Sequence, residues 1–134
     1  MMQLATTVGG KPWICNVWFA ADKDLNIYWF SSLTRIHSKE VTENPNVAAA
    51  IVFPQTPTDI PRGIQLEGTA RVLSEDENDQ ALSVYRDRIF PMETIEKLMK
   101  DPETPHKFYM VKPSKIVLFD GVNFPDQWRQ ELNL

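Results

Sequence analysis

The stretch Ile64-Gln65-Leu66-Glu67-Gly68-Thr69-Ala70-Arg71-Val72-Leu73 decides the fold. Ile64, Leu66, Gly68, Ala70 and Val72 alternate with Gln65, Glu67, Thr69 and Arg71. Successive side chains of a strand point to opposite faces, so this period of two predicts a β-strand with one face buried and one wet. Just upstream, Val47 to Phe53 is an unbroken apolar run, too short for an independent helix and bounded by Asn44-Pro45 and Pro54. It reads as an interior strand of the same sheet. Between the two, Pro54 to Pro61 holds three of the ten prolines and is a loop.

Outward from this pair the same grammar continues. Gln3 to Val8, Gly9-Gly10 and Trp13 to Ala20 read as a hairpin whose two-glycine turn allows positive φ. After a turn at Asp22 to Asp24, Asn26 to Ser32 forms a third strand, so the first three strands are expected as a meander. Near the end, Phe108 to Lys112 and Lys115 to Asp120 are two strand-like runs bent at Pro113, which has no amide hydrogen for a ladder. Ser74-Glu75-Asp76-Glu77 is a capping box opening a helix with Ala81, Leu82, Tyr85 and Ile89 on one face. Ile95, Leu98 and Met99 predict a second helix, ended by Asp101-Pro102. The sum is a mainly β, α+β, barrel-like domain.

Composition bounds the function. A chain of 134 residues suits one domain, residues 1–134, with no internal repeat. Fourteen basic against eighteen acidic residues give a net charge of -4, opposite to the footprint of a nucleic-acid binder. No apolar run spans a membrane and Met1 to Val8 lacks the features of a signal peptide, so a cytoplasmic location is expected. Cys15 has no disulfide partner, and with only His37 and His106 beside it no zinc site is expected. On a central strand without a cationic neighbour in sequence, Cys15 reads as an inert buried thiol. Trp13 and Trp29 read as core or subunit interface, and His106, after Pro105, as a solvated loop residue.

The chemistry concentrates in Ser31-Ser32-Leu33-Thr34-Arg35-Ile36-His37-Ser38, between a strand end and a short helix expected over Ser38 to Glu43. A helix start offers free N–H groups and positive dipole, and Arg35 can grip two phosphate oxygens. His37 and the hydroxyls of Ser31, Ser32, Thr34 and Ser38 complete a phosphate pocket. The residues fit a second reading equally well, in which Ser38 caps the helix, the other hydroxyls serve turns, and Arg35 and His37 are solvated. A nucleophilic pair such as Ser32 with His37 would need an orienting acid, and none is in sight.

Nearly the whole chain resembles the pyridoxamine 5′-phosphate oxidase-like proteins of the FMN-binding split-barrel superfamily. Leu4 to Pro12 is similar to their opening hairpin, Ile27 to Ser32 to their third strand, and Arg35 to Val41 with Asn44 to Ala48 to their phosphate loop, helix and fourth strand. Gln65 to Ala70 and Val111 to Ile116 resemble the following strand and the kinked terminal one. The order and spacing of these motifs favour the phosphate pocket over its rival. The resemblance implies an antiparallel split β-barrel with two or three flanking helices, assembled as a homodimer with FMN at its interface. It places Asn16, Val17 and Trp18 along the flavin ring and Ser31, Ser32, Arg35, His37 and Ser38 near the phosphate. Ile36 and His37 stand where the family has arginine and lysine, Arg35 lies one position early, and Gly63 replaces a glutamine that touches the flavin. The family's N-terminal helix has no counterpart, and the tail keeps only Trp128-Arg129 of a substrate-binding end.

The expected activity is that of an FMN-dependent oxidoreductase acting on a small molecule, with no side chain required as acid or base. Pyridoxamine 5′-phosphate is not expected as substrate, because its phosphate needs a second cationic cluster and Arg86, Arg88 and Arg129 are scattered. The competing expectations are a non-catalytic flavin, deazaflavin or haem binder on the same barrel, haem requiring His37 or His106, and a cofactor-free interaction module.

Overall fold

In the computed structural model, which describes residues 1–134, the alternating stretch forms the 11-residue strand β6 (Arg62–Val72). Leu66, Gly68 and Ala70 are buried and Gln65, Glu67 and Thr69 exposed, as the period demands. At Val72 the phase slips, and Leu73 enters the core instead, 4% exposed. β6 lies between β5 (Asn46–Val52) and the 15-residue β7 (His106–Asp120). The two terminal runs expected on either side of Pro113 are thus one strand. Its register against β6 shifts between Glu67 and Gly68, leaving Ser114 as the extra residue, so the bend is a β-bulge. Gly68 faces Pro113 so closely that a Cβ there would lie 2.3 Å from the Lys112 carbonyl oxygen.

The remaining strands are β1 (Met2–Val8), β2 (Lys11–Val17), β3 (Phe19–Ala21), β4 (Ile27–Ser32) and β8 (Arg129–Asn133). The sheet order is β2-β1-β5-β6-β7-β4-β3, with β8 pairing the second half of β7. β2 and β3 therefore sit at opposite edges although only Trp18 separates them in the chain. This corrects the expected meander: the run Trp13 to Ala20 is two strands, of which β2 pairs β1 and β3 pairs β4. The chain crosses from one sheet edge to the other at Trp18, which rolls the sheet into an antiparallel split half-barrel. Cys15, expected on a central strand, is instead half-buried on edge strand β2. Burial first, and the nearby Glu40 carboxylate second, push its thiol up.

β4 is the best-covered strand because both its faces meet a core. Ile27 and Trp29 point into the barrel with Met2, Leu4, Tyr109 and Val111, and Trp29 stacks on Tyr109 with ring centroids 4.8 Å apart. Tyr28 and Phe30 point outward, into a second cluster with Tyr85, Ile95 and Phe108 beneath the helices α2 (Asn78–Tyr85) and α3 (Met92–Met99). Trp29 is core as expected, but Trp13 is 44% exposed on the β2 edge. The Ser74 capping box forms, with the Ser74 amide donating to Glu77 Oε2 at 3.0 Å, and leads through a short 3₁₀ turn into α2. α2 stops at Tyr85, before Ile89, because Arg86 turns extended with ψ 138°, and Asp87 follows with a left-handed φ of 61°. α1 (Ile36–Glu43) covers the barrel with Val41. No helix is long and apolar enough to cross a membrane.

Candidate functional site

α1 begins at Ile36, two residues before the expected start, and the extended residue before it is Arg35, not a hydroxyl side chain. Ser38, a candidate cap from sequence, lies inside the first turn and donates its hydroxyl to the Ser32 carbonyl at 2.8 Å. No side chain caps the helix and no acid stands in its first turn. The amides of Ile36, His37 and Ser38 therefore have no partner within the helix, and Ile36 and His37 line a cleft.

The loop that presents them is held from within. Ser32 and Ser38 are each 2% exposed. The Ser32 hydroxyl shares a 2.9 Å hydrogen bond with Thr34 and accepts from the Thr34 amide at 3.2 Å. The Leu33 amide donates to the Pro105 carbonyl at 3.0 Å, tying the loop to the approach to β7. Ser31 Oγ and His37 Nε2 are 2.8 Å apart. Burial, reinforced by the Arg35 guanidinium, holds the His37 imidazole below the ordinary histidine value against the smaller pull of Glu40. His37 is thus a neutral ring engaged by Ser31, whereas the exposed Arg35 guanidinium has no carboxylate or hydrogen-bond partner.

Across the gap stand the residues where the chain leaves β2 for β3. Asn16 and Trp18 are exposed and Val17 is buried, and Tyr85 Oη donates to the Trp18 carbonyl at 3.3 Å. Asn16, Val17, Trp18, Ser31, Arg35 and His37 all line this one cleft, of about 560 Å³. Ser32 and Ser38 do not; they lie behind its wall and hold the loop. Ile36, at the family's arginine position, presents an apolar side chain to the cleft. Gly63 is outside it, paired with Val52 and Phe119 near the far end of the sheet. A glutamine there would not reach this cleft within one chain.

The cleft also recruits residues that were not flavin-site candidates in the sequence, among them Trp13, Cys15, Phe30, Phe90, Leu98 and His106. His106, expected in a solvated loop, is the first residue of β7, where pairing with β4 sets it opposite Ser32. Its ring packs 5.3 Å from that of Phe30. The sole local signal was its position two residues before the strand-like run at Phe108; the contact itself comes from strand pairing across more than half the chain.

The walls are aromatic and apolar, through Trp13, Trp18, Phe30 and Phe90, and one end offers a guanidinium and open helix amides. That donor set fits a flat ligand bearing an anionic group. A second, larger hollow of about 660 Å³ opens at the other end of the barrel, walled by Phe19, Leu25, Phe53, Leu118 and Leu132 among others, with only Gln130 and Glu131 polar. It lacks any cation for a phosphate.

The comparison with curated proteins finds no match. Among solved structures, a haem-binding protein from Mycobacterium smegmatis superposes over 98% of this chain with a TM-score of 0.77 and 18% identity; this chain covers 52% of that one, about half its length. General Stress Protein 26 from Bacillus anthracis matches over 99% of this chain and 88% of its own, with a TM-score of 0.66 and 17% identity. An FAD-binding protein from Mesorhizobium loti matches over 86% and 79%, with a TM-score of 0.64 and 16% identity. At these identities the likeness establishes the shared fold. The sequence itself matches the family model over residues 1–118, and the chain belongs to the pyridoxamine 5′-phosphate oxidase family.

Proposed function

We propose that the cleft binds FMN and that the protein is a flavin-dependent oxidoreductase acting on a small molecule. The observation that carries this reading is the unpartnered Arg35 guanidinium beside the uncapped start of α1, at one end of an aromatic-walled cleft. Arg35 and the amides of Ile36 to Ser38 hold the phosphate, while Asn16, Val17 and Trp18 take the ring side. Ser31, Ser32, His37 and Ser38 serve the phosphate indirectly, by fixing the loop. Bound flavin supplies the hydride and electron chemistry, and the chain's residues bind, orient and shield it. Pyridoxamine 5′-phosphate stays outside this reading: Arg86 and Arg129 are each engaged by a surface carboxylate, Asp87 and Glu131, which leaves no second cationic cluster.

The reading includes a homodimer. The outer face of the sheet carries Ala5, Ala48 and Ala50 with Ile14 65% exposed, bordered by Glu67, Lys115 and Arg129, a surface that a second copy would cover. Its edge strand β2 also supplies the cleft residues Trp13, Cys15, Asn16 and Val17, so assembly and cofactor binding share a border.

Titrating the purified protein with FMN and with riboflavin, followed by flavin fluorescence, tests the reading. FMN is expected to bind the more tightly, and an anaerobically reduced complex to be reoxidised by an acceptor faster than free FMN. Equal, weak binding of both flavins would remove the phosphate grip. Binding without accelerated turnover would favour a carrier or sensor. The haem-binding Mycobacterium smegmatis neighbour supports a second reading, in which the same cleft takes haem.

A further inference from the structure

A haem in this cleft would need an axial ligand; burial and the Glu40 carboxylate push the thiol of the lining Cys15 up, against the thiolate that binds iron, and the two histidines of the chain are in opposite states. His37 is 7% exposed and its Nε2 is 2.8 Å from Ser31 Oγ. Freeing that nitrogen would break a partly buried hydrogen bond and move the ring out of its packing. His106 has its Nδ1 2.7 Å from the Thr104 carbonyl oxygen. A carbonyl can only accept, so Nδ1 carries a proton and Nε2 is the ring nitrogen left to offer a lone pair to a metal. That nitrogen has no partner in the protein, and the ring lines the cleft.

The surroundings hold the ring in this state. The Asp101 carboxylate accepts hydrogen bonds from the Glu103 and Thr104 amides, both at 2.9 Å, and so fixes the turn that offers the Thr104 carbonyl. Phe30 packs on the ring from β4. Metal-bound imidazoles are oriented in this way, with the second ring nitrogen donating to a carbonyl or carboxylate that sets the tautomer. Phe90 and Leu98 add apolar wall on the same side, and Arg35 is available to a carboxylate of the ligand.

We propose that His106 Nε2 is the axial ligand through which this cleft takes ferric haem, and that His37 is not. The proposal rests on the reading of the cleft as the cofactor site, and it is independent of whether flavin also binds there. No side chain between the β7 start and α1 competes for the His106 Nε2 lone pair in the structure.

The test is titration of the full-length protein with ferric haem, followed by the Soret and visible bands. Wild type and His37→Ala are expected to give the same saturable, histidine-ligated spectrum. His106→Ala and the better space-filling His106→Gln are expected to lose that spectrum and bind at least about tenfold more weakly, and added imidazole is expected to restore the ligated bands. Circular dichroism of each variant separates ligand loss from misfolding. A histidine-ligated spectrum that survives in folded His106→Gln, or disappears in folded His37→Ala, would overturn the assignment. So would a wild-type spectrum identical to free haem. FMN titration of the wild type reads the flavin proposal separately, and failure of FMN to bind anywhere leaves the haem result standing. Displacement of haem by excess FMN is expected from one shared cleft, and simultaneous binding of both would overturn the shared site.

Discussion

At one end of the barrel the cleft between β2 and α1 closes on Arg35, open helix amides and an imidazole. At the other end the hollow among β3, β6, β7 and β8 is walled by side chains of Phe, Leu and Ile, with two polar residues at its margin. The two spaces are of similar size, about 560 and 660 Å³. They differ in what the backbone does at their walls. Around the hollow the chain runs mostly as strand, so its amides are largely consumed in ladders and only side chains face the space. Around the cleft a strand ends and a helix begins without a cap, leaving main-chain donors free. The capacity to hold an anion thus comes from where the secondary structure stops.

The severest way to break this comparison is to remove what separates the two ends. Trp29, fully buried and stacked on Tyr109, fills the barrel between them. Trp29→Ala is expected to cost about 3–5 kcal/mol, read as a shift of the urea midpoint, and to abolish ligand binding along with the fold. A loss below about 1 kcal/mol would mean that the two ends are supported independently.

Arg35→Ala sharpens the comparison by making the cleft resemble the hollow. Losing one charged hydrogen-bonding group is expected to cost about 1.5–3 kcal/mol of FMN binding, roughly ten- to hundredfold in affinity. Riboflavin, which lacks the phosphate, should bind as before, and the unfolding midpoint should not move, because Arg35 has no protein partner to lose. Leu132→Ser at the hollow is the matched control and should leave FMN binding untouched.

Legibility in the sequence follows the same division. β6 was readable because its period is local, and β5 because an unbroken apolar run bounded by Asn44-Pro45 and Pro54 signals an interior strand. The loop from Ser31 to Ser38 stood out by composition, but composition alone fitted a phosphate pocket and a set of turn and cap residues equally well. The roles within it were not legible: Ser32 and Ser38 face inward and Ser31 is spent on His37, which depends on loop conformation and not on residue type. The crossing at Trp18 and the recruitment of His106 arise from pairing between distant strands, for which no local pattern exists. β8 escaped notice because Arg129-Gln130-Glu131-Leu132-Asn133 lacks the β-branched and aromatic residues that mark a strand; an ion pair of Glu131 with Lys115 at 2.6 Å helps to seat it.

A smaller effect concerns His37, which ties the cleft to pH. Its folded-state affinity for a proton is depressed, chiefly by burial and then by Arg35. The unfolded chain therefore binds that proton more readily, and stability rises with pH in this range. The contribution is complete above the ordinary histidine value of about 6.5 and is lost as pH falls towards the depressed folded value. His37→Gln should flatten the dependence of the unfolding midpoint between about pH 7 and pH 5. An unchanged slope would assign the acid sensitivity to carboxylates such as Asp22, whose hydrogen bonds from Asn26, Tyr28 and Asp24 outweigh its burial and hold it low.

The smallest effect on the folded chain, and the one that extends the comparison to the outside of the barrel, is expected from Ala48→Glu. Ala48 is exposed on the outer face of β5, opposite in direction to the buried Val47 and Ala49. A glutamate there meets solvent and no core atom, and its cross-strand partner is the exposed Glu67, so stability should fall by no more than about 1 kcal/mol. A second copy packed on Ala5, Ala48 and Ala50 would, however, bury that charge against its own symmetry mate, because a two-fold contact sets each patch against itself. Sedimentation velocity at micromolar concentration is therefore expected to find the wild type dimeric and Ala48→Glu shifted towards monomer. If β2 borders both the interface and the cleft, FMN affinity should fall in step with dimer loss while riboflavin and FMN are weakened alike, since the Arg35 end is untouched. A variant that stays dimeric would move the interface elsewhere. One that becomes monomeric with full FMN affinity would make each cleft complete within a single chain.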